Sequence, residues 1–339
     1  MLASGRKESG RGAARRTANA PTMWPRVSPH ERPFRFAVQA SSASDGAAWM
    51  ELARRVESMG YSTLSMPDHF GAQFAPVPAM GAAAAATTTL RIASLVFDND
   101  YRHPVVLAKE MATLDVLSGG RTELGLGAGW LTTDYEQSGI QHDQAGVRLG
   151  RMEEAVHVIK GLMADGPLTF QGRHYSISEL EGHPKPVQRP HPPIVMGGGG
   201  RRMLSIAGRE ADVVGINANL GAGRVGREMA ADVTPAAFHR KIGWVREAAG
   251  PRFDEIELQV QTFFLAVTDD RDATAAVVGQ GFGLGAAEVL QIPLVLIGSV
   301  GQMADELQRR REMFGISYIT VQADAIESFA PVVARLAGN

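Results

Sequence analysis

The sequence contains no cysteine among its 339 residues, so disulfide bonds, thiol catalysis and zinc–thiolate sites are excluded. It has no excess of positive charge either, because 34 lysines and arginines stand against 36 acidic residues. A nucleic-acid surface needs a clustered basic excess, and a membrane span needs about 18 consecutive apolar residues; the sequence offers neither. These absences predict a cytoplasmic protein that binds neither nucleic acid nor a membrane.

Two common catalytic patterns are also missing. The nine histidines include no pair spaced as H-x-x-x-H or H-E-x-x-H, so no metal site is predicted. No G-x-S-x-G nucleophile elbow occurs, which argues against a serine hydrolase.

The first 33 residues differ in composition from the rest of the chain. They are rich in alanine, glycine, serine, proline and arginine, and cannot bury enough apolar surface to order themselves. We expect a disordered arm over 1–33, or a chain that truly starts at Met23. Residues 34–339 are predicted to form a single domain, with insertions near 131–148, 165–193 and 217–233.

One stretch sets the expected architecture. Leu90–Val96 is a short apolar run that predicts a buried strand, and Pro104 suits the first turn of the helix that follows. Gly119 and Gly120 end that helix, and Thr122–Leu126 resumes as a strand. A βαβ unit of this kind implies parallel strands joined by a right-handed crossover.

The same alternation continues along the chain. Further strands are predicted at Phe34–Ala40, Ser62–Met66, Ile194–Met196, Asp212–Ile216, Ile256–Val267 and Ser317–Val321. Helical segments separate them, beginning with Ala47–Met59 and Met80–Thr89. Eight strands alternating with helices favour a (β/α)8 TIM barrel with insertions, although a doubly wound sheet would accommodate the same order.

Special residues follow several predicted strands, at the end of a barrel where active sites form. They are Asp68–His69, Ser94–Asn99, Gly127–Trp130 and Gly197–Gly200. The four glycines let the backbone approach a ligand closely, and the amides of the next helix favour an anion. Arg202 in that first turn opposes the helix dipole, a placement that makes sense if a phosphate binds there.

An ordered set of motifs carries a resemblance to a known family. They are PDHF at 67–70, YRHP at 101–104, LSGGR at 117–121, GLGAGW at 125–130, RHYSI at 173–177 and PIVMGGGG at 193–200. Together they resemble the luciferase-like superfamily, in particular its coenzyme F420-dependent (deazaflavin) oxidoreductases. The resemblance implies a barrel that binds F420 and a small-molecule substrate, and by family habit a homodimer.

The resemblance also assigns site residues. Gly199, Gly200, Arg202 and Met203 would hold the phosphodiester of the cofactor. The other cofactor contacts would be Asp68, Ser94, Leu95, Phe97, Ala128, Gly129 and Thr133. The resemblance also implies a non-prolyl cis peptide at Ser94–Leu95; the alternative is an ordinary trans peptide at the end of the strand. His69 would handle a proton, unless Asp68 merely caps backbone and orients a structural imidazole.

Some neighbouring residues are expected to play smaller parts. Trp130 stands where sugar-phosphate-oxidising relatives have a glutamate, so it would wall the substrate pocket with apolar surface. Asp134 and Glu136 are equally well explained as a solvated helix start, and His103 is expected to position the helix that follows it.

Three functions remain open at this point. The first is an F420-dependent oxidoreductase that moves a hydride between C5 of the deazaflavin and a small organic substrate, working as a reductase. The second keeps the fold but uses reduced FMN and oxygen as a monooxygenase. The third is a non-catalytic protein: a barrel that stores or carries a flavin, or a degenerate homologue kept as a partner.

Overall fold

The computed structural model describes residues 28–220 and 227–339. Most of the predicted arm and part of the predicted insertion at 217–233 therefore lie outside the described residues. At the end of the arm, Pro29–Glu31 forms a turn of 3₁₀ helix. The buried Arg32 donates from Nη2 to the Asp254 carbonyl at 2.9 Å, so this end of the arm packs against the domain.

Eight parallel strands close into a barrel, which confirms the predicted fold class. Each strand pairs with the next, and the eighth pairs with the first. The strands are β1 (Arg35–Gln39), β2 (Thr63–Met66), β3 (Arg91–Ser94), β4 (Thr122–Gly127), β5 (Ile194–Gly198), β6 (Val213–Ile216), β7 (Glu257–Gln261) and β8 (Ile316–Gln322).

Helices cover the outside of the barrel. They are α1 (Gly46–Ser58), α2 (Pro76–Ala86), α3 (Pro104–Ser118), α4 (Thr132–Ser138), α5 (Ala145–Met163), α6 (Arg201–Glu210), α7 (Pro235–Ala249), α8 (Arg271–Phe282), α9 (Ala286–Gln291), α10 (Val300–Phe314) and α11 (Ile326–Leu336). Caps set the bounds of α3: His103 Nδ1 accepts the Val105 N–H at 3.3 Å, and Gly119 adopts φ 68° after the last turn. The positioning role predicted for His103 is thus confirmed.

The predicted seventh strand, Ile256–Val267, is wrong as a single element. The barrel strand stops at Gln261, and the chain leaves the barrel because the Phe263 N–H bonds to the Leu294 carbonyl. Phe264–Val267 then pairs in parallel with Val295–Gly298 in a separate outer sheet. The apolar run from 256 to 267 gave no sign of this break, and strand Val295–Gly298 and helix α9 were not predicted.

Smaller differences concern the helices. Helix α2 begins at Pro76 rather than Met80, because proline is well placed in a first turn, and it ends at Ala86 rather than Thr89. The region expected to be an irregular insertion after Trp130 contains helix α4. The predicted hairpin is confirmed, with antiparallel strands Pro167–Gln171 and Ser176–Glu181.

The barrel interior has three layers of side chains. At the N-terminal end, Arg35 lies between the carboxylates of Glu123 and Glu257, with its guanidinium 3.6 Å from the Tyr318 ring centroid. A small apolar layer follows, formed by Ala37, Val195, Val213 and Tyr318 with Leu95 packed against them. Glutamines from β1, β7 and β8 form the last layer, at the mouth of the barrel where the strands end.

Candidate active site

The parallel barrel places all of the predicted site segments on one face. Ser94 ends β3, Gly127 ends β4 and Gly198 ends β5, and these three strands are neighbours. Residues that follow them therefore meet around one mouth, as a barrel active site requires. The four-glycine turn and Ser94 share this face of the molecule.

The glycine turn after β5 approaches another loop closely. A methyl group at Gly199 would lie 2.2 Å from the backbone nitrogen of Asn219, so only glycine fits there. Gly200 is the N-cap residue of α6 and, having no side chain, cannot itself cap the first turn of that helix. Met203, in the same turn, is buried. The backbone amides at the start of a helix form a surface suited to an anion.

Arg202 extends that anion surface toward α5. Its Nη1 donates to the Gly146 carbonyl at 2.8 Å, and within 28–220 and 227–339 no other acceptor is recorded for its guanidinium. Arg201 points elsewhere, to an exposed ion pair with Glu247 at 3.2 Å. Arg202 is therefore held in place by one bond, with donors left to bind a phosphate.

Ala128 and Gly129 after β4 are fixed by a buried arginine. Arg148 on α5 donates to both of their carbonyl oxygens, at 2.9 and 2.5 Å. Gly129 adopts φ 73°, and a methyl group there would lie 1.8 Å from the Tyr135 hydroxyl and 2.4 Å from Asp98 Oδ2. Sequence analysis did not identify Arg148 or Tyr135, because neither belongs to a motif with a known role.

Asp68 organises the backbone of the next loop. It accepts the Asp98 N–H at 3.2 Å and pairs with the Arg102 guanidinium, which also lies 5.0 Å from the ring centroid of the buried Phe97. Burial raises the pKa of Asp98 to about 6, and the charges of Asp100 and Asp68 add to the effect. The Asp68 side chain therefore bonds to backbone and to Arg102, in line with the alternative in which it caps backbone. It does not orient the imidazole of His69, which is held by a different acid.

That acid is Asp134, in the first turn of α4. The Nδ1–H of His69 donates to Asp134 Oδ2 at 2.6 Å, and the Tyr101 hydroxyl donates to the same oxygen at 3.2 Å. Asp134 is only 5% exposed, so the expectation of a solvated helix start is wrong for this residue. The sequence could not show that Asp134 turns inward, because the buried face of this helix start depends on residues distant in the chain.

The other ring nitrogen of His69 is directed by this bond. Because Nδ1 bonds to Asp134, Nε2 is the ring nitrogen that this bond leaves free. The His69 side chain is 29% exposed at the mouth of the barrel. Trp130 packs edge-on against the imidazole, with ring centroids 5.9 Å apart. Burial raises the pKa of Tyr101, with the charges of Asp98 and Asp134 contributing, so its hydroxyl stays a donor. The arrangement can accept or deliver a proton beside an aromatic wall.

Ser94 and Leu95 lie deep in the mouth. Ser94 is fully buried, and its hydroxyl bridges strands by donating to the Gly125 carbonyl at 2.8 Å and accepting the Gly125 N–H at 2.9 Å. A non-prolyl cis peptide is present, but at Leu95–Val96, one bond later than predicted. Thr133 is exposed on α4, and no described contact joins it to these residues.

Comparisons with known proteins agree with this architecture. A sequence profile of the luciferase-like monooxygenase family matches residues 31–317. The chain belongs to this family. No group of histidines and acids that could hold a metal ion occurs in the part of the chain that the structure describes. Nor is any helix there long and apolar enough to cross a membrane.

Relatives within the family differ in their cofactors. The chain is 32% identical over 138 residues to an FMNH2-dependent dimethylsulfone monooxygenase of Pseudomonas putida, covering 40% of this chain and 37% of that protein. It is 31% identical over 189 residues to an F420-dependent glucose-6-phosphate dehydrogenase of Microbacterium testaceum, covering 53% and 55%. These matches span about half or less of the relatives' lengths. Both a deazaflavin and a flavin cofactor are thus represented among family members similar to this chain.

A solved structure resembles the fold over nearly its whole length. The coenzyme F420-dependent tetrahydromethanopterin reductase of Methanopyrus kandleri superposes with a TM-score of 0.72 at 18% identity, covering 90% of this chain and 99% of that one. At this identity the likeness establishes the shared barrel alone.

Proposed function

We propose that the chain is a coenzyme F420-dependent oxidoreductase that works as an F420H2-dependent reductase on a small organic substrate. One observation carries the proposal: an incompletely bonded Arg202 beside a close-approach glycine turn shares the barrel mouth with the His69–Asp134 pair. The first can hold an anionic tail, and the second can serve the reacting end of a bound molecule. The ordered motifs that resemble deazaflavin enzymes support F420 as that molecule.

The residues present fit such a cofactor. Its phosphodiester would bind the first-turn amides of α6 and the guanidinium of Arg202, while its ring would lie toward Leu95 and the loop at Ala128–Gly129. The buried Arg148 keeps that loop in one conformation by binding both carbonyl oxygens. When bound in reduced form, coenzyme F420 supplies a hydride from C5 of its ring.

His69 would provide the proton that balances the hydride. In the reduction of a polarised double bond, the hydride adds to one atom, and the π electrons take a proton at the other atom from Nε2 of protonated His69. The carboxylate of Asp134 holds the imidazolium by its Nδ1–H during this step. Trp130 excludes water on one side of the imidazole.

A flavin-dependent monooxygenase is the second candidate, and the match to the FMNH2-dependent dimethylsulfone monooxygenase supports it. The same anion surface suits the phosphate of FMN. The two cofactors can be distinguished by titrating the full-length protein with F420 and with FMN and following the quenching of tryptophan fluorescence. We expect tight F420 binding; FMN binding without any response to F420 would establish the monooxygenase instead.

Two arginine variants test the anion surface. Arg202→Ala should weaken F420 binding about 10- to 100-fold, because a hydrogen bond to a charged group contributes roughly 1.5–3 kcal/mol. Arg201→Ala removes the same side chain from an exposed ion pair on the same turn and should change binding by less than about threefold. Equal effects of the two substitutions would contradict the assignment.

A histidine variant tests the proton role. His69→Ala should bind F420 normally but lower kcat about 100- to 10,000-fold with any substrate that wild-type protein reduces. Retention of wild-type turnover would show that the proton comes from elsewhere.

A further inference from the structure

Three glutamine side chains meet at the mouth of the barrel, on the side formed by β7, β8 and β1. The Gln39 Oε1 atom accepts hydrogen bonds from the side-chain amides of Gln261 and of Gln322, the latter at 3.2 Å. Gln39 Nε2 donates to the Leu95 carbonyl at 2.9 Å. The oxygen of the Gln39 amide therefore accepts two hydrogen bonds, whereas the side-chain oxygens of Gln261 and Gln322 accept none from the residues that the structure describes. We name these three residues the glutamine cluster.

Lysines or arginines follow β3, β5 and β6, but not the three strands that carry the glutamine cluster. The segments 40–45, 67–75, 128–144, 262–270 and 322–325, which follow β1, β2, β4, β7 and β8, contain no lysine or arginine. Arg102, after β3, is paired with Asp68. Arg201 and Arg202 follow β5, on the side assigned to the cofactor phosphodiester. An anionic substrate would thus find no lysine or arginine on the segments that directly follow the three strands of the glutamine cluster.

Aromatic residues border the same half of the mouth. Phe263 is 44% exposed and follows Gln261 by two positions, at the rim where the chain leaves the barrel wall. Phe70, after β2, is 51% exposed and packs on Tyr101 with ring centroids 4.5 Å apart. Exposed rings of this size mark a binding surface for apolar groups.

We propose that the substrate is a neutral molecule with an apolar body and one amide or carbonyl group, bound by the glutamine cluster and Phe263. This proposal rests on the proposed function only for the place of the cofactor, which occupies the Arg202 side. Amides of Gln261 and Gln322 can donate to and accept from a neutral polar group, but they cannot neutralise a charge. The cluster would thereby separate this chain from relatives that act on phosphorylated sugars.

Three ligands of equal shape test the charge preference. The full-length protein, loaded with oxidised F420, is titrated by calorimetry with cinnamamide, with cinnamate and with cinnamylammonium, which are neutral, anionic and cationic at pH 7. We expect cinnamamide to bind at least about tenfold more tightly than either ion. Tighter binding of cinnamate or of cinnamylammonium, or no binding of any of the three, would overturn the proposal.

Substitutions locate the binding to the cluster. Gln261→Ala should weaken cinnamamide about 3- to 10-fold, as expected for one lost hydrogen bond. Gln322→Lys should improve cinnamate binding about fivefold or more, since it adds a cation within the glutamine cluster. Gln308→Lys adds the same charge on the outer helix α10 and should change neither ligand. If Gln261→Ala and Gln322→Lys leave all affinities unchanged, the cluster is not the substrate site.

The cofactor assignment is tested separately. F420 binding, measured by tryptophan quenching, should be unchanged in Gln322→Lys. If F420 does not bind the wild-type protein, the proposed function fails, and the same three ligands are measured on the cofactor-free chain. A neutral preference there, abolished by Gln261→Ala, would still support the substrate class.

Discussion

At the N-terminal end of the barrel, Arg35 is enclosed between Glu123 and Glu257, whereas at the C-terminal end only one ring nitrogen of His69 is bonded to a described residue. In the first arrangement the charged side chains are paired with one another. Burial opposes the charges there, but Glu123 and Glu257 hold the pKa of Arg35 above its usual value. The second arrangement leaves Nε2 of His69 and the donors of Arg202 available. Polar groups of the lower end therefore stabilise the fold, while those of the mouth can bind and react.

The largest expected effect lies at the lower end. Glu123→Gln removes the charge of a fully buried carboxylate that pairs with Arg35 and Arg91, and breaking a buried ion pair typically costs about 3–5 kcal/mol of unfolding free energy. Urea denaturation measures the loss. Glu51→Gln, from an exposed pair with Arg54, should cost less than about 1 kcal/mol. If the two variants are equally stable, the lower network does not stabilise the barrel.

Gly129→Ala should have the next largest effect, because it disturbs the mouth rather than the lower end. The new methyl group would overlap the Tyr135 hydroxyl and Asp98 Oδ2, at a backbone φ of 73° that disfavours alanine. We expect a loss of about 2–4 kcal/mol and weaker cofactor binding. Gly139→Ala has a similar φ of 74° in open space and should cost only about 1–2 kcal/mol. Similar losses in both variants would attribute the effect to φ alone.

The pH dependence of the free energy of unfolding tests the burial of Asp98 at the mouth. Its pKa of about 6 lies above the ordinary 3.8, so the folded protein binds this proton more tightly than the unfolded chain. The resulting stability is fully present below about pH 4 and is lost as the pH rises through 6. Relative to wild type, Asp98→Asn should therefore gain about 2–3 kcal/mol between pH 4 and pH 7, measured by urea denaturation at both values. A difference that does not change with pH would contradict a buried, reluctantly ionised Asp98.

The smallest expected effect concerns orientation of the histidine. Asp134→Asn should lower kcat about 10- to 100-fold, or roughly 1.4–2.7 kcal/mol, because His69 loses the carboxylate that fixes its tautomer. F420 affinity should be unchanged, and the ¹⁵N chemical shifts of the imidazole should report the altered tautomer. Glu136→Gln, on the exposed face of the same helix, is the matched control. Unchanged imidazole shifts would show that Asp134 does not direct His69.

Sequence analysis predicted the features that depend on residues close together in the chain. The strand–helix–strand unit around Leu90–Leu126, the end of α3 at Gly119 and the glycine turn after β5 follow from turn chemistry and apolar spacing, and the structure contains all three. The break after Gln261 could not be predicted, because the apolar run continues through it. The hydrogen bond that accompanies the break joins Phe263 to the carbonyl of Leu294, which is distant in the chain.

The site contacts that were missed depend on residues far apart in the chain. His69 and Asp134 are separated by 65 positions, and Gln39 lies 222 positions from Gln261. Neither pair belongs to a motif with a physical signature, since an aspartate in a helix start and a glutamine at a strand end are common surface residues. Only closure of the barrel brings them together.

The departure of the chain at Gln261 has a consequence for how this protein could diversify. Phe264–Val267 and Val295–Gly298 hydrogen-bond to each other rather than to the eight-stranded wall, so that sheet and its two helices form an appendage attached at one rim. Its half-exposed strand Phe264–Val267 can change without altering the register of a single barrel strand, whereas Val295–Gly298 is buried in the core. Such an appendage gives evolution a place to reshape the entrance while the scaffold beneath it stays closed.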